Sequence, residues 1–474
     1  MVKFTDFTYL VLLLPTVAAY YKVPEAKKWV FLLITCALFN LSWSGKYLAV
    51  WVVLVLICYV AGKALSNQGY SKRHRKALLS LSIAICLSPL LFFKYLVPVH
   101  NSMSLVTLNW IAPIGISYYT FLIIGYLYDV YRRYIKPENH LGYLMIYLGF
   151  FPTLLAGPLE RTRQLVPQLR GPKPYERENI KAGIYFIVWG LFKKIVLAAR
   201  FADITSPVFD RPESYTGISV TLAILLFSIQ LYCDFSGYTD IATGSARLFG
   251  IRLSKNFSNR YYFAPSRTES WSAWNITVTS WFRDYIFFNI SKGVTNQKRL
   301  EFNRLVTFVI TGLWHGPSWS FVIWGTLQWA YINFEMRTKH FWSKLYASAG
   351  LARLGLSTGS QVHYVWRVAV RLLTGTLIMG WFRAAELGSG IRLYSSMFGF
   401  KSGEGSLLTS SLLLTIALFL VMDFFNYKMG EKEDIASYLL KKDTFYQTLS
   451  MVLLVQLVLI FGRPSVANFY YIQF

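Results

Sequence analysis

The chain has 474 residues, of which 54% are hydrophobic and only 15% charged, with a formal net charge of +25. Repeated apolar stretches of membrane-spanning length exclude the two or three soluble domains that length alone would suggest. The basic residues fall in short loops rather than in one patch or arm, which excludes a nucleic-acid-binding surface and fits the positive-inside rule, with contacts to membrane lipid heads.

Candidate spans run over roughly 5–21, 29–43, 47–62, 77–97, 108–131, 141–156, 182–199, 216–235, 268–290, 305–334, 364–382, 407–426 and 445–462. The expected fold is all-α: a polytopic transmembrane body of roughly 11–13 membrane segments, re-entrant pieces included, around a central funnel or tunnel. Residues 1–474 form a single integral-membrane domain in this reading, with N-terminal transmembrane helices over 1–107, a core over 108–335 and C-terminal transmembrane helices over 336–474. The apolar stretch from Phe7 carries no small-residue cleavage pattern and is expected to be the first span. Cys36, Cys58, Cys86 and Cys233 have neither metal spacing nor a disulfide framework and read as small apolar fillers.

Loop charge sets the orientation. Residues 63–76 carry Lys63, Lys72, Arg73, Arg75 and Lys76 and belong on the cytoplasmic side, whereas 98–107 have no lysine, arginine or carboxylate and face outward. Residues 132–140 are basic again, and so are 159–181. A single crossing by 141–156 would put the second of these outside. That segment is therefore expected to enter the membrane and return.

Leu231 to Tyr285 is polar for a membrane core. Asp234 and Asp240, with Ser236, Gly237, Tyr238 and Thr239 between them, end a long apolar span and suggest a helix end or an unwound turn. Pairing with an arginine such as Arg247 is the structural alternative to a functional role; two carboxylates without a nearby histidine make a poor metal site. Farther on, Asn275, Thr279 and Arg283 are spaced by four and would share one helical face, a polar stripe beside Trp274, Asp284 and Tyr285. An asparagine there either joins helices or orients a reacting group.

His315 lies within the apolar run 305–334, in TGLWHGPSWSFVIWG. An imidazole at bilayer depth needs partners and is read as functional by default, against the plainer alternative of a packed core histidine. Gly316 and Pro317 follow it, so the helix should bend or break there, which is tolerated inside protein or along a cavity.

Five ordered stretches carry a family resemblance: PIGISYYTFLIIGYLYDVYRR from Pro113, FPTLLAGPLERTRQLVPQL from Phe151, YCDFSGYTDIATGSARLFGI from Tyr232, WNITVTSWFRDYIF from Trp274 and the His315 motif; the closing NFYYIQF adds to them. Together they resemble the membrane-bound O-acyltransferases, and within them the bacterial branch of alginate and peptidoglycan O-acetyltransferases and the teichoic-acid D-alanyl transfer protein. The resemblance implies that 108–335 is the catalytic core, that His315 and Asn275 are catalytic, and that the acyl donor is acyl-coenzyme A, acetyl-coenzyme A above all, or an acyl carrier protein thioester, with no permanently bound cofactor and no metal. One departure stands out: the branch usually has a second histidine where this chain has Asn275.

Trp274, Trp314, Arg283, Asp284, Tyr285, Asp234, Tyr238 and Asp240 are candidates for substrate binding or support of the site, and Lys255, Arg260 and Arg267 for contacts with donor phosphates. Implied partners are a separate extracytoplasmic acyltransferase and a glycan acceptor, and the implied place is a bacterial inner membrane. Direct acylation of a lipid or protein hydroxyl, D-alanyl transfer, and a transporter whose polar groups line a path are the competing readings.

Overall fold

A computed structural model describes residues 7–103, 110, 112–113, 115–346, 359–384, 386–399, 407, 409–431 and 433–463; the closing NFYYIQF lies outside them. Among the described residues there is no strand. The helices of the first half are α1 (Phe7–Lys22), α2 (Lys28–Ser44), α3 (Leu48–Ser66), α4 (Lys72–Leu91), α5 (Val97–Met103), α6 (Ile116–Tyr131), α7 (Leu141–Gly149), α8 (Thr162–Arg170), α9 (Arg177–Leu191) and α10 (Ala199–Asp210). The second half adds α11 (Gly217–Leu248), α12 (Arg267–Ala273), α13 (Ile276–Phe282), α14 (Phe288–Ile290), α15 (Gln297–His315), α16 (Trp319–Tyr346), α17 (Gln361–Leu377), α18 (Met379–Arg383), α19 (Leu387–Met397), α20 (Ser410–Met429), α21 (Ile435–Leu440) and α22 (Thr444–Phe461). Wider π turns at Phe92–Leu96, Phe192–Ala198 and Arg283–Phe287 join α4 to α5, α9 to α10 and α13 to α14.

Among the described residues seven helical stretches are long and apolar enough to cross a membrane: Leu48–Ser66, Lys72–Asn101, Arg177–Asp210, Gly217–Leu248, Gln361–Arg383, Ser410–Met429 and Thr444–Phe461. The other expected segments are shorter or interrupted. The segment from 141 does return. Its nine-residue helix α7 reaches only about 13 Å at 1.5 Å per residue, far short of a ~30 Å hydrocarbon core. The chain then turns through buried residues 150–160, with the Tyr147 hydroxyl donating to the Glu160 carbonyl at 3.1 Å. At the end of α8, Arg170 pairs with Glu138, on the side where the segment entered. Irregular backbone at this depth is covered by protein: the Leu159 N–H donates to Thr277 Oγ1 at 2.8 Å.

Two expectations about the centre of the chain are corrected. Asp234 and Asp240 do not mark a helix end, because α11 runs unbroken through both. Their partners are not Arg247 but Lys194 and Lys193, which the π turn after α9 directs at α11. Glycines let the two helices meet closely enough for this: a Cβ on Gly190 would lie 2.4 Å from the Gly237 carbonyl oxygen, and one on Gly244 2.5 Å from that of Gly183. Small residues facing each other are the usual means by which helices approach in a bilayer. The expected span 268–290 is likewise no single helix but α12, a break at Trp274 and Asn275, α13 and the π turn.

The Lys194–Asp234 pair is a structural brace: both side chains are almost wholly buried. Lys194→Ala removes the buried cation that faces Asp234 and should cost about 3–5 kcal/mol, whereas Lys194→Met with Asp234→Leu should recover most of the loss. Thermal unfolding of the detergent-solubilised variants measures both, and equal losses in the two would contradict the brace.

Candidate functional site

The apolar run around His315 forms two helices packed antiparallel, not one span. α15 ends at His315, Gly316 to Ser318 turn the chain, and α16 leads back. The backbones touch: a Cβ on Gly312 would sit 2.2 Å from the Phe321 carbonyl oxygen, and one on Gly325 2.4 Å from that of Phe308. Pro317 has no N–H and cannot continue the helix, so the break follows the imidazole as the sequence requires. His315 is buried at the tip of this hairpin. Its ring is boxed by Trp314, Trp324, Phe321 and Phe382, with ring centroids 4.5, 5.3, 5.9 and 4.8 Å away.

Asn275 is equally buried but does not sit in a helix. It occupies the left-handed region, with φ 42° and ψ 52°, immediately before α13. Asparagine tolerates that conformation better than most residues. Its carbonyl accepts from the Thr279 N–H at 2.9 Å, while the preceding loop pins the turn from outside. There the Asn256 carbonyl accepts from the Ile276 N–H at 2.9 Å, and Asn256 Oδ1 from the Thr277 N–H at 3.1 Å. Asn256 was not foreseeable from the sequence, since its partners lie some twenty residues ahead across a break.

His315 and Asn275 line one cavity of about 500 Å³, within the range of small-molecule sites. Thr279 and Arg283 line it too, so the polar stripe faces a common space even though its first member precedes the helix. Asn275 Oδ1 and the indole N–H groups of Trp271, Trp314 and Trp324 have no hydrogen-bond partner among the described residues. The fold does not consume the polar atom that Asn275 offers here. Along α15 the lining passes from His315 through Thr311, Phe308 and Thr307 to Arg304, a run of about 16 Å. His315 and Arg304 therefore stand at the two ends of this run, and Arg267 and Arg283 line the cavity as well. The cavity adjoins the basic loop 159–181 at Arg283, whose neighbour Asp284 pairs with Arg161 at 3.1 Å.

The remaining candidates divide. Trp274 and Trp314 line the cavity; Trp274 is wedged against Phe257 and Tyr261, both at 5.1 Å between centroids. Of the three expected phosphate contacts, Arg267 alone lines it, with Nε donating to Gln328 at 2.7 Å and its backbone N–H held by Glu335. Lys255 instead reaches the Glu431 carbonyl at 2.9 Å, and Arg260 lies over the Tyr427 ring; both are exposed and neither lines the cavity. Asp284 is held by Arg161 and Arg283, and the Tyr285 ring lies under the Arg161 guanidinium at 4.4 Å. Asp234, Tyr238 and Asp240 do not line the cavity and belong to the buried brace farther along α11. Arg304, Trp324 and Phe382 were missed, because each reaches the site through packing between helices. His363 is buried too, but it sits in the first turn of α17, where its N–H donates to the capping Ser360 Oγ at 3.0 Å and its ring packs on Tyr346, outside the cavity.

A model of the membrane-bound O-acyltransferase family matches residues 128–366, just over half of the chain. The chain belongs to that family. Similarity extends further along the sequence. The probable alginate O-acetylase of Azotobacter vinelandii is 29% identical over 412 residues, covering 84% of this chain and 78% of that protein. The peptidoglycan O-acetyltransferase of Helicobacter pylori is 27% identical over 413 residues, with coverage of 80% and 75%. The teichoic acid D-alanyltransferase of Bacillus subtilis is 27% identical over 314 residues, with coverage of 63% and 75%. The protein is an integral, multi-pass membrane acyltransferase.

The left-handed turn makes a prediction of its own. Asn275→Gly should leave the acyltransferase as stable as the parent to within about 1 kcal/mol, whereas Asn275→Val, branched at a positive φ, should cost about 1–2 kcal/mol or more. Thermal unfolding in detergent reads both, and a harmless valine would contradict the strain.

Proposed function

We propose that this acyltransferase takes an acyl group, acetyl-sized, from a cytoplasmic thioester and delivers it across the inner membrane of a bacterium for O-acylation of an extracytoplasmic polysaccharide or cell-wall glycan. One observation carries the reading: His315 and Asn275 line one cavity together with Arg267, Arg283 and Arg304. The names of the alginate and peptidoglycan relatives support a glycan acceptor. An acyl-coenzyme A or an acidic carrier protein would meet the arginines with its phosphates and place its thioester near His315.

The chemistry needs little more. His315 removes the proton of an acceptor hydroxyl, whose oxygen attacks the thioester carbonyl carbon. The carbon–sulfur bond breaks, the ester forms, and the leaving thiolate takes the proton back from the imidazolium. Asn275 orients the reacting groups as charge develops on the carbonyl oxygen. The acceptor hydroxyl meets the acyl group from the far side of His315, and a separate extracytoplasmic transferase passes the group on to the glycan.

Purified protein supplied with acetyl-coenzyme A and a hydroxyl acceptor tests this. His315→Ala should abolish transfer while the protein still inserts and folds; Asn275→Ala should retain measurable transfer, lowered by no more than about 10²–10³. A fully active His315→Ala protein would refute the base. Donor capture should also weaken with salt, since the Debye length shrinks from ~10 Å at 0.1 M to ~3 Å at 1 M. Arg283→Gln should reproduce part of that loss as a raised KM at low salt, and a salt-independent KM would remove the arginine steering.

A further inference from the structure

We propose that Lys94 and Tyr95 are positioning residues for His315, supplied by the N-terminal helices from outside the segment that the family model matches. The inference rests on the functional reading of His315 given above.

A helix leaves its last carbonyls without partners in its own ladder. At the end of α15 the chain itself offers little. Gly316 N–H reaches the Leu313 carbonyl at 3.0 Å, and Pro317 has no N–H to give. Further donors come from the π turn between α4 and α5. The Lys94 ammonium donates to the Trp314 carbonyl and the Tyr95 hydroxyl to the Leu313 carbonyl. Both acceptors lie within two residues of His315.

The geometry is specific. A π turn places one extra residue in the helical circuit and so re-aims the side chains that follow, which is why such turns gather at functional sites. Here it directs two consecutive side chains at one helix end. A cation at a helix C-terminus meets the negative end of the dipole, and the ammonium also lies 5.9 Å from the Trp314 ring centre. Aromatic rings box the imidazole, and Lys94 with Tyr95 fixes the backbone that carries it. Releasing that backbone lets the imidazole shift, and a displacement of about 1 Å can cost 10²-fold in rate.

The test compares Lys94→Met, Lys94→Arg and Tyr95→Phe in the full-length protein. Lys94→Met should lower kcat by about 10- to 100-fold while KM for acetyl-coenzyme A stays within about twofold. Lys94→Arg, which keeps a cationic donor, should recover most of the loss. Tyr95→Phe, which removes one hydroxyl and keeps the ring, should give a smaller fall in kcat. Hydrogen exchange over residues 311–320 should quicken in Lys94→Met, a readout independent of any reaction. An unchanged kcat in Lys94→Met overturns the proposal, as does a proportionate loss in Lys94→Arg. If Lys94→Met cannot be recovered folded, full kcat in Tyr95→Phe overturns it instead. A wild type inert toward every thioester, with exchange still quickened in Lys94→Met, would sink the functional reading and leave the positioning contact standing.

Discussion

The close approach of α15 and α16 at Gly312 and Gly325 is the constraint on which the site depends. It folds what would otherwise be a continuous apolar stretch into a hairpin and leaves His315 at its tip. A thirty-residue straight helix would extend about 45 Å and carry the imidazole past its neighbours in mid-span. With the turn in place, Phe321 and Trp324 return on α16 to wall the imidazole, and Phe382 closes in from α18. A side chain at either glycine would force the two backbones apart.

A second set of contacts keeps charge deep in an apolar body. Lys193 and Lys194 face Asp240 and Asp234 across helices brought together by opposed glycines, so each charge has an opposite charge beside it. Arg75 plays a related part near the basic loops, donating to the Leu65 carbonyl at 2.8 Å and the Tyr131 carbonyl at 2.6 Å, at the ends of α3 and α6. Some of the net positive charge is therefore structural rather than topological. The cavity arginines are partly engaged as well: Arg304 donates to Asn333 at 2.6 Å and Arg267 to Gln328. Held in this way, they present charge at fixed positions with less side-chain freedom to lose on meeting an anion.

The catalytic pair proposed for this enzyme differs in how each member is held. His315 stands where a helix stops, and its position depends on what meets the last carbonyls and what surrounds the ring. Asn275 stands where a helix starts, in a left-handed turn that Asn256 secures from the preceding loop. Neither belongs to a helix interior, which leaves the side chains facing the cavity instead of filling the ladder between packed helices.

The amino-acid sequence by itself determined what depends on local chemistry. Apolar lengths required an all-α membrane body, the basic loops at 132–140 and 159–181 required 141–156 to turn back, and Gly316-Pro317 required a break beside His315. Ordered motifs marked the family. Partner choice was another matter. Asp234 and Asp240 resembled a helix end because serine and glycine lie between them, yet α11 runs whole through both, and opposed glycines with the π turn after α9 bring lysines to them. Lys255 and Arg260 looked like phosphate contacts by charge alone, but Glu431 and Tyr427, far along the chain, draw them away. Arg304, Phe382, Lys94 and Tyr95 carry no local signal, since each matters only through the element it packs against. Helix formation and breaking are set within a few residues, whereas burial, ion pairing and the capping of one helix by another are settled when distant segments meet.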